Sequence, residues 1–254
     1  MSSRPRSATL GAPDMGSWLE SGHAALQARL AALGPRPAGW RELSDALALG
    51  GDDWPRRAAT PLLALHADLF DNAHRPREAL ALWRDAIEGA TAARELAQAA
   101  GGSPATAGLA MLLRLAADAL SLTGVAAAEA RRGERLDAAN FNVVRRAVAE
   151  TAGAALLRHW RIAPAVAAAV RDAPAALERR AAGIEARAVH FAAVLVAASR
   201  SGFESPGLDG EMAAALQLAP CKLAGVRRNL AAQQGVADEL LCGPLILGEG
   251  KAAG

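Results

Sequence analysis

The sequence predicts an all-α fold, and three observations carry that reading. Alanine and arginine, both strong helix formers, dominate the composition, whereas tyrosine is absent and only Lys222 and Lys251 are lysines. No stretch alternates apolar and polar residues as a half-buried strand does. Clusters of glycine and proline cut the chain into segments of helical length.

Taken in order, residues 1–17 are rich in Ser, Pro, Gly and Arg without apolar periodicity and read as a flexible arm. Helices are expected at roughly 18–33, 40–49, 55–72, 77–100, 104–124, 138–161, 163–172, 175–200, 209–217 and 220–234. The breaks between them are "GPRPAG" at 34–39, "GGDDWP" at 50–55, "GGSP" at 101–104 and "SGFESPG" at 201–207. Ser103 followed by Pro104 has the pattern of an N-cap and a first helical residue. No repeat of fixed period marks a solenoid. A smaller N-terminal helical subdomain at 18–75 is expected against a main multi-helix bundle at 76–242, with a tail at 243–254. The core of that bundle is expected to contain Leu82, Trp83, Leu96, Leu112, Leu113, Leu156, Trp160, Val189, Phe191 and Val194, which recur at helical spacing.

Composition bounds the function. A chain of 254 residues that is 52% apolar buries a sizeable core. Its 28 basic and 26 acidic side chains leave a formal charge of +2, far from the basic excess of a chain that coats nucleic acid or an anionic bilayer. Cys221 and Cys242 form no CxxC pair, so no zinc ribbon or redox motif is available, and a reducing cytoplasm is the expected location. No signal-peptide core follows the first arginines, and no membrane association is expected. The most apolar segment, from Gly108, is interrupted by Arg114 and Asp118 at i, i+4, which suits a helix inside a protein better than one in lipid.

The segment "TAGAALLRHWRIAPAV", residues 151–166, places Ala152, Ala155, His159 and Trp160 on one side of a helix, in line with Val148 just before it, and Arg158 and Arg161 elsewhere. His159 therefore reads as a hydrogen-bonded core residue rather than a metal ligand, which would need convergent partners.

This segment also carries a resemblance. "GAALLRHWRIAPAVAAAV" from Gly153 is similar to the helix-turn-helix of HDOD proteins, the bacterial HD-related output domains. Upstream, "LWRDAIEGATAARELAQAAGGSPATAGLAMLLRLAADAL" from Leu82 resembles that family's Leu-Trp-x-His-Ser helix and the helix after it. Downstream, "ARAVHFAAVLVAASRSG" from Ala186 resembles its Val-His-Leu-Ala-Asp helix. The blocks occur in family order over residues 82 to about 202, while the N-terminal part matches poorly.

The resemblance implies an HD-like bundle and a place for its metal site. In catalytic relatives, histidines and aspartates from separate helices hold metal ions that activate water against a phosphoester. On this chain the first histidine position falls on Asp85, the His-Asp pair on Arg114 and Leu115, a later histidine on Ala149, another on His190, and the final aspartate on Ala193. Leucine and alanine cannot ligate a metal, and Arg114 brings a permanent charge. Asp85 reads as a partner of Arg114 or as a solvated side chain. No catalytic residue, metal or cofactor is therefore expected. The sequence also lacks the GxSxG, GxxxxGK[ST] and GxGxxG patterns, and Glu178 and Glu185, seven residues apart, read as solubilising.

A second class competes. "GEMAAALQLAPCKLAGVRRNLAAQQG", residues 210–235, is patterned as a DNA-reading helix-turn-helix bearing Lys222, Arg227, Arg228 and Asn229, although Gln217 stands in the turn where glycine is favoured. On the alternative reading, Leu216, Leu218, Leu223, Val226 and Leu230 pack inward and the basic residues form an interaction surface.

The leading expectation is a non-catalytic signal-transduction or regulatory module that contacts a protein partner, such as a response regulator or a cyclic di-GMP enzyme. A DNA-binding regulator is the alternative. A vestigial metal-dependent phosphohydrolase with residual nucleotide binding is the third.

Overall fold

The computed structural model describes residues 14–49, 51, 53–179, 181–202 and 207–247, and these contain helices and no strand. The helices are α1 (Met15–Ala32), α2 (Trp40–Leu49), α3 (Trp54–Arg57), α4 (Ala59–Leu65), α5 (Pro76–Ala99), α6 (Pro104–Arg132), α7 (Ala138–His159), α8 (Pro164–Asp172), α9 (Ile184–Ser201), α10 (Leu208–Leu216), α11 (Pro220–Ala232) and α12 (Val236–Leu247).

Capping chemistry sets the boundaries. Asp14 accepts from the amides of Gly16 and Ser17 at 3.1 and 3.3 Å and starts α1 three residues before its expected onset. Ser103 accepts from Thr106 N at 3.3 Å, with Pro104 at the first position of α6. Asp137 accepts from Asn140 N at 2.8 Å and opens α7. Gly133 and Gly202, both left-handed, follow the last residues of α6 and α9.

Three expectations are corrected. The helix read at 55–72 is broken into α3, α4 and a π-helical turn at His66–Phe70, because Ala58 leaves the helical region and Asp71 N then bonds the carbonyl of His66. The helix read at 175–200 begins only at Ile184, since Pro174 belongs to a short 3-10 turn and Gly183 is extended. The segment after 234 holds a further helix, α12, which Gly235 (φ 92°) separates from α11. The tail expected from 243 therefore begins inside α12, and its residues 248–254 lie outside the described residues, as do 1–13 of the expected arm.

The axis of the bundle is α6. On it pack α5, α7, α1, α8, α2 and α9. Its length and apolarity would suffice to span a bilayer, but 83% of its apolar stretch is buried by its neighbours, so the bundle consumes that surface. The close crossing with α1 requires a missing side chain: a Cβ on Gly124 would meet the carbonyl oxygen of Gly22 at 3.2 Å. All ten expected core residues lie in the interior; Leu82 and Val194 are half-buried and the other eight are buried. Trp18, Leu26, Leu43, Leu47 and Leu62 join the same hydrophobic cluster as Leu113 and Phe191, so residue 75 marks no break in the core.

Candidate functional site

The positions singled out by the sequence lie on α5, α6, α7 and α9, three of which pack on the fourth, α6. Asp85 stands on α5 and forms an ion pair with Arg200 of α9, whose Nη2 also donates to Ala81 O at 2.9 Å. Its partner is therefore not Arg114, one of the two readings offered above. Arg114, half-buried on α6, leaves Nη1 without a hydrogen-bond partner, and the carboxylate that acts on it is Asp118, one turn further along α6. Asp118 pairs with Arg145 of α7 at 3.4 Å. The result is a seam of charge across three helix contacts, with Glu88 on its α5 side.

Burial dominates the electrostatics of this seam. It pushes the Asp85 carboxyl up to about 6, with Arg200 opposing and Glu88 and Asp118 adding to the rise. Burial raises Glu88 against the pull of Arg200 and Arg84, and raises Asp118 against Arg145, Arg114 and Arg146. Arg114 is lowered by the same cause. Beside the seam, a groove of about 260 Å³ between α5, α6 and α7 is bordered by Leu82, Phe141 and Arg145.

The remaining positions offer little chemistry. Leu115 is buried, Ala149 and Ala193 are half-buried, and none of the three carries a ligating atom. His190 shares a hydrogen bond of 3.1 Å between Nδ1 and the carbonyl of Ala173, and its ring meets Phe191 edge-on. Among the described residues, no group of three or more His, Cys, Asp or Glu side chains has the arrangement of a metal site. The sequence reading found Asp85 and the Arg114–Asp118 spacing; it missed Arg145 and Arg200. Arg200 did carry a signal, as a charge following the apolar run Phe191–Ala198 at the end of α9.

Two further readings change. His159 is exposed rather than in the core: its Nε2 donates to the carbonyls of Leu33 and Gly34 at 3.2 and 3.1 Å, just past the end of α1. Trp160, next to it, is the buried residue. Glu185 is not merely solubilising, because its carboxylate accepts from Ser103 N at 2.9 Å and fastens α9 to the start of α6.

In the α10–α11 pair, Leu216, Leu218, Leu223, Val226 and Leu230 are all buried, as the packing alternative expected. The polar residues turn back to the protein. Lys222 Nζ donates to Ala99 O at 2.9 Å, Asn229 donates to Glu95 at 2.8 Å, and Arg227 pairs with Asp209 at 2.7 Å. Arg228 is exposed. Gln217 adopts the left-handed conformation at φ 53° that its position in the turn demands.

Comparison of the chain with family models, with curated proteins and with solved structures returns no match.

Proposed function

We propose that the chain is a non-catalytic signal-transduction or regulatory module of the HDOD type, acting through protein–protein contacts. The observation that carries this reading is the commitment of the two ligand-capable side chains to the fold: Asp85 is neutralised by Arg200, and His190 is held on the carbonyl of Ala173. The other four positions present a cation, Arg114, or the hydrocarbon of Leu115, Ala149 and Ala193. A metal-activated water would have no ligand set there.

The partner class follows the resemblance: a signalling protein such as a response regulator or a cyclic di-GMP enzyme, met in a bacterial cytoplasm. DNA reading by α11 is less well supported, because Lys222, Arg227 and Asn229 already have partners within the chain.

The test has two arms. Cross-linking in the native host is expected to recover a signalling protein that, once purified, forms a complex with this chain in sedimentation velocity. Phosphoester substrates supplied with Mn²⁺ or Fe²⁺ are expected to remain intact. Hydrolysis that Asp85→Ala abolishes would overturn the proposal in favour of the vestigial hydrolase.

A further inference from the structure

A different part of the molecule carries cations that the fold leaves available. Between α2, the start of α6 and the start of α8 lies a groove of about 460 Å³, within the size range of small-molecule sites. Arg36 and Arg41 line it, together with the hydroxyls of Ser44 and Thr106, and no carboxylate does. Arg36 lies over the Trp40 ring at 5.7 Å and, among the described residues, forms no ion pair. Arg41 faces Asp45 at 4.0 Å with its own side chain 95% exposed, a contact too loose and too wet to neutralise it.

The same groove has uncommitted donors. Its lining includes Ala165 and Val166, in the first turn of α8, whose N-cap is Ala163 and supplies no side-chain oxygen. Those amides carry the partial positive charge of a helix start. The N-terminus of α6, by contrast, is already met by Ser103 and Glu185.

A second tryptophan braces the groove from inside the bundle. Trp160 is only 3% exposed, and its indole Nε1 is buried without a hydrogen-bond partner. Its ring stands edge-on to Trp40 at 6.0 Å and so supports a residue that lines the groove. Trp40, Leu109 and Ile162 add aromatic and apolar surface to the same lining, with Arg36 over the Trp40 ring.

We propose that this groove binds a nucleotide, with Arg36, Arg41 and the first turn of α8 holding the phosphate and Trp40 forming the wall for the base. The mixed lining favours this class: a bare anion would not use the aromatic and apolar residues, and an uncharged aromatic would leave two guanidinium groups idle. The site is separate from the α5–α6–α7–α9 seam, so it stands or falls independently of the function proposed above.

Isothermal titration with AMP, GMP, adenosine and inorganic phosphate tests it. Saturable 1:1 binding of at least one of the two nucleotides is expected. Adenosine and inorganic phosphate should each bind at least about tenfold more weakly, since each loses one half of the contacts. Arg36→Glu with Arg41→Glu should weaken the nucleotide about a hundredfold, roughly tenfold for each charge-assisted contact. Both arginines are exposed, so the helical circular dichroism of that variant should match the parent, and Arg36→Lys with Arg41→Lys should restore part of the affinity. No heat from either nucleotide at millimolar concentration overturns the proposal. So does binding that the charge reversal leaves intact, or inorganic phosphate binding as tightly as the nucleotide.

Discussion

The two charged regions of this molecule differ in what their arginines do. In the seam between α5, α6, α7 and α9, Arg145 and Arg200 each meet a carboxylate, and burial rather than solvent governs Asp85, Glu88 and Asp118. In the groove between α2, α6 and α8, Arg36 and Arg41 stand in water with no close acidic partner. The difference teaches how to read a nearly neutral chain. Charges that the fold answers internally hold helices in register, while charges it leaves unanswered around a concave surface are the ones available to a ligand.

The largest expected effect tests the packing beneath Trp40, a lining residue of the groove. Trp160 is buried and packs on Trp40, so Trp160→Ala should cost about 3–5 kcal/mol of unfolding free energy by lost burial and the cavity left behind. Chemical denaturation measures it. Trp160→Phe keeps most of the volume and removes the orphaned N–H; it should retain most of the stability, and a loss as large as that of alanine would show that the indole nitrogen is satisfied.

The seam supplies the next effect, and its sign depends on pH. The Asp85 carboxyl titrates near 6 in the folded protein and near 3.8 when unfolded, so the unfolded chain releases its proton first as pH rises. Stability from this group is complete below about pH 4 and is lost as pH rises through 6. Asp85→Asn should therefore stabilise the protein at pH 8 by about 2 kcal/mol, allowing for the solvent that still reaches the carboxylate, and the gain should vanish at pH 4. Asp118 and Glu88 shift in the same direction, whereas His66, lowered by burial, acts oppositely as pH falls below its ordinary value. The difference between parent and variant isolates Asp85. A variant less stable than the parent at pH 8 would mean that the Arg200 pair outweighs desolvation.

These regions also mark how far the sequence could be read. Helices with a cap and a breaker were legible: Ser103 and Pro104 start α6, and Trp40 begins α2 after the Gly-Pro cluster. The π-helical turn was not, because His66 and Phe70 leave the α period to stack around Trp83, a contact with a residue in another helix. Nor was α12, whose place depends on Ala237 O accepting from Trp83 Nε1 at 3.1 Å and on Asp238 pairing with Arg84. The seam shows the same limit. Spacing along α6 disclosed Arg114 and Asp118, but Arg200 lies 115 positions from Asp85 in the sequence, and only the packing of α9 on α5 brings them together. The groove escaped notice because its lining is drawn from three helices and the segments that lead into two of them, none with a phosphate-binding motif.

A smaller effect concerns the turn between α10 and α11. Gln217 pays the steric penalty of a left-handed backbone with a Cβ. Gln217→Gly should raise stability by about 1 kcal/mol, the relief being offset in part by the greater entropy of an unfolded glycine. A melting temperature that falls would show that the Gln217 side chain contributes more than the strain removes.

The smallest expected effect is the sharpest test of the contrast. Arg36→Ala and Arg41→Ala together should change stability by less than about 1 kcal/mol, because one exposed cation–π contact and one solvent-screened pair are all that is lost. Arg145→Ala should cost more at pH 8 than that double change, since it strips Asp118 of the cation at 3.4 Å and leaves a carboxylate that burial already disfavours. The gap should narrow as the pH is lowered and Asp118 takes up its proton. Equal losses for the two variants across that range would erase the distinction between answered and unanswered charge, and with it the reason for looking to the groove rather than the seam for a ligand.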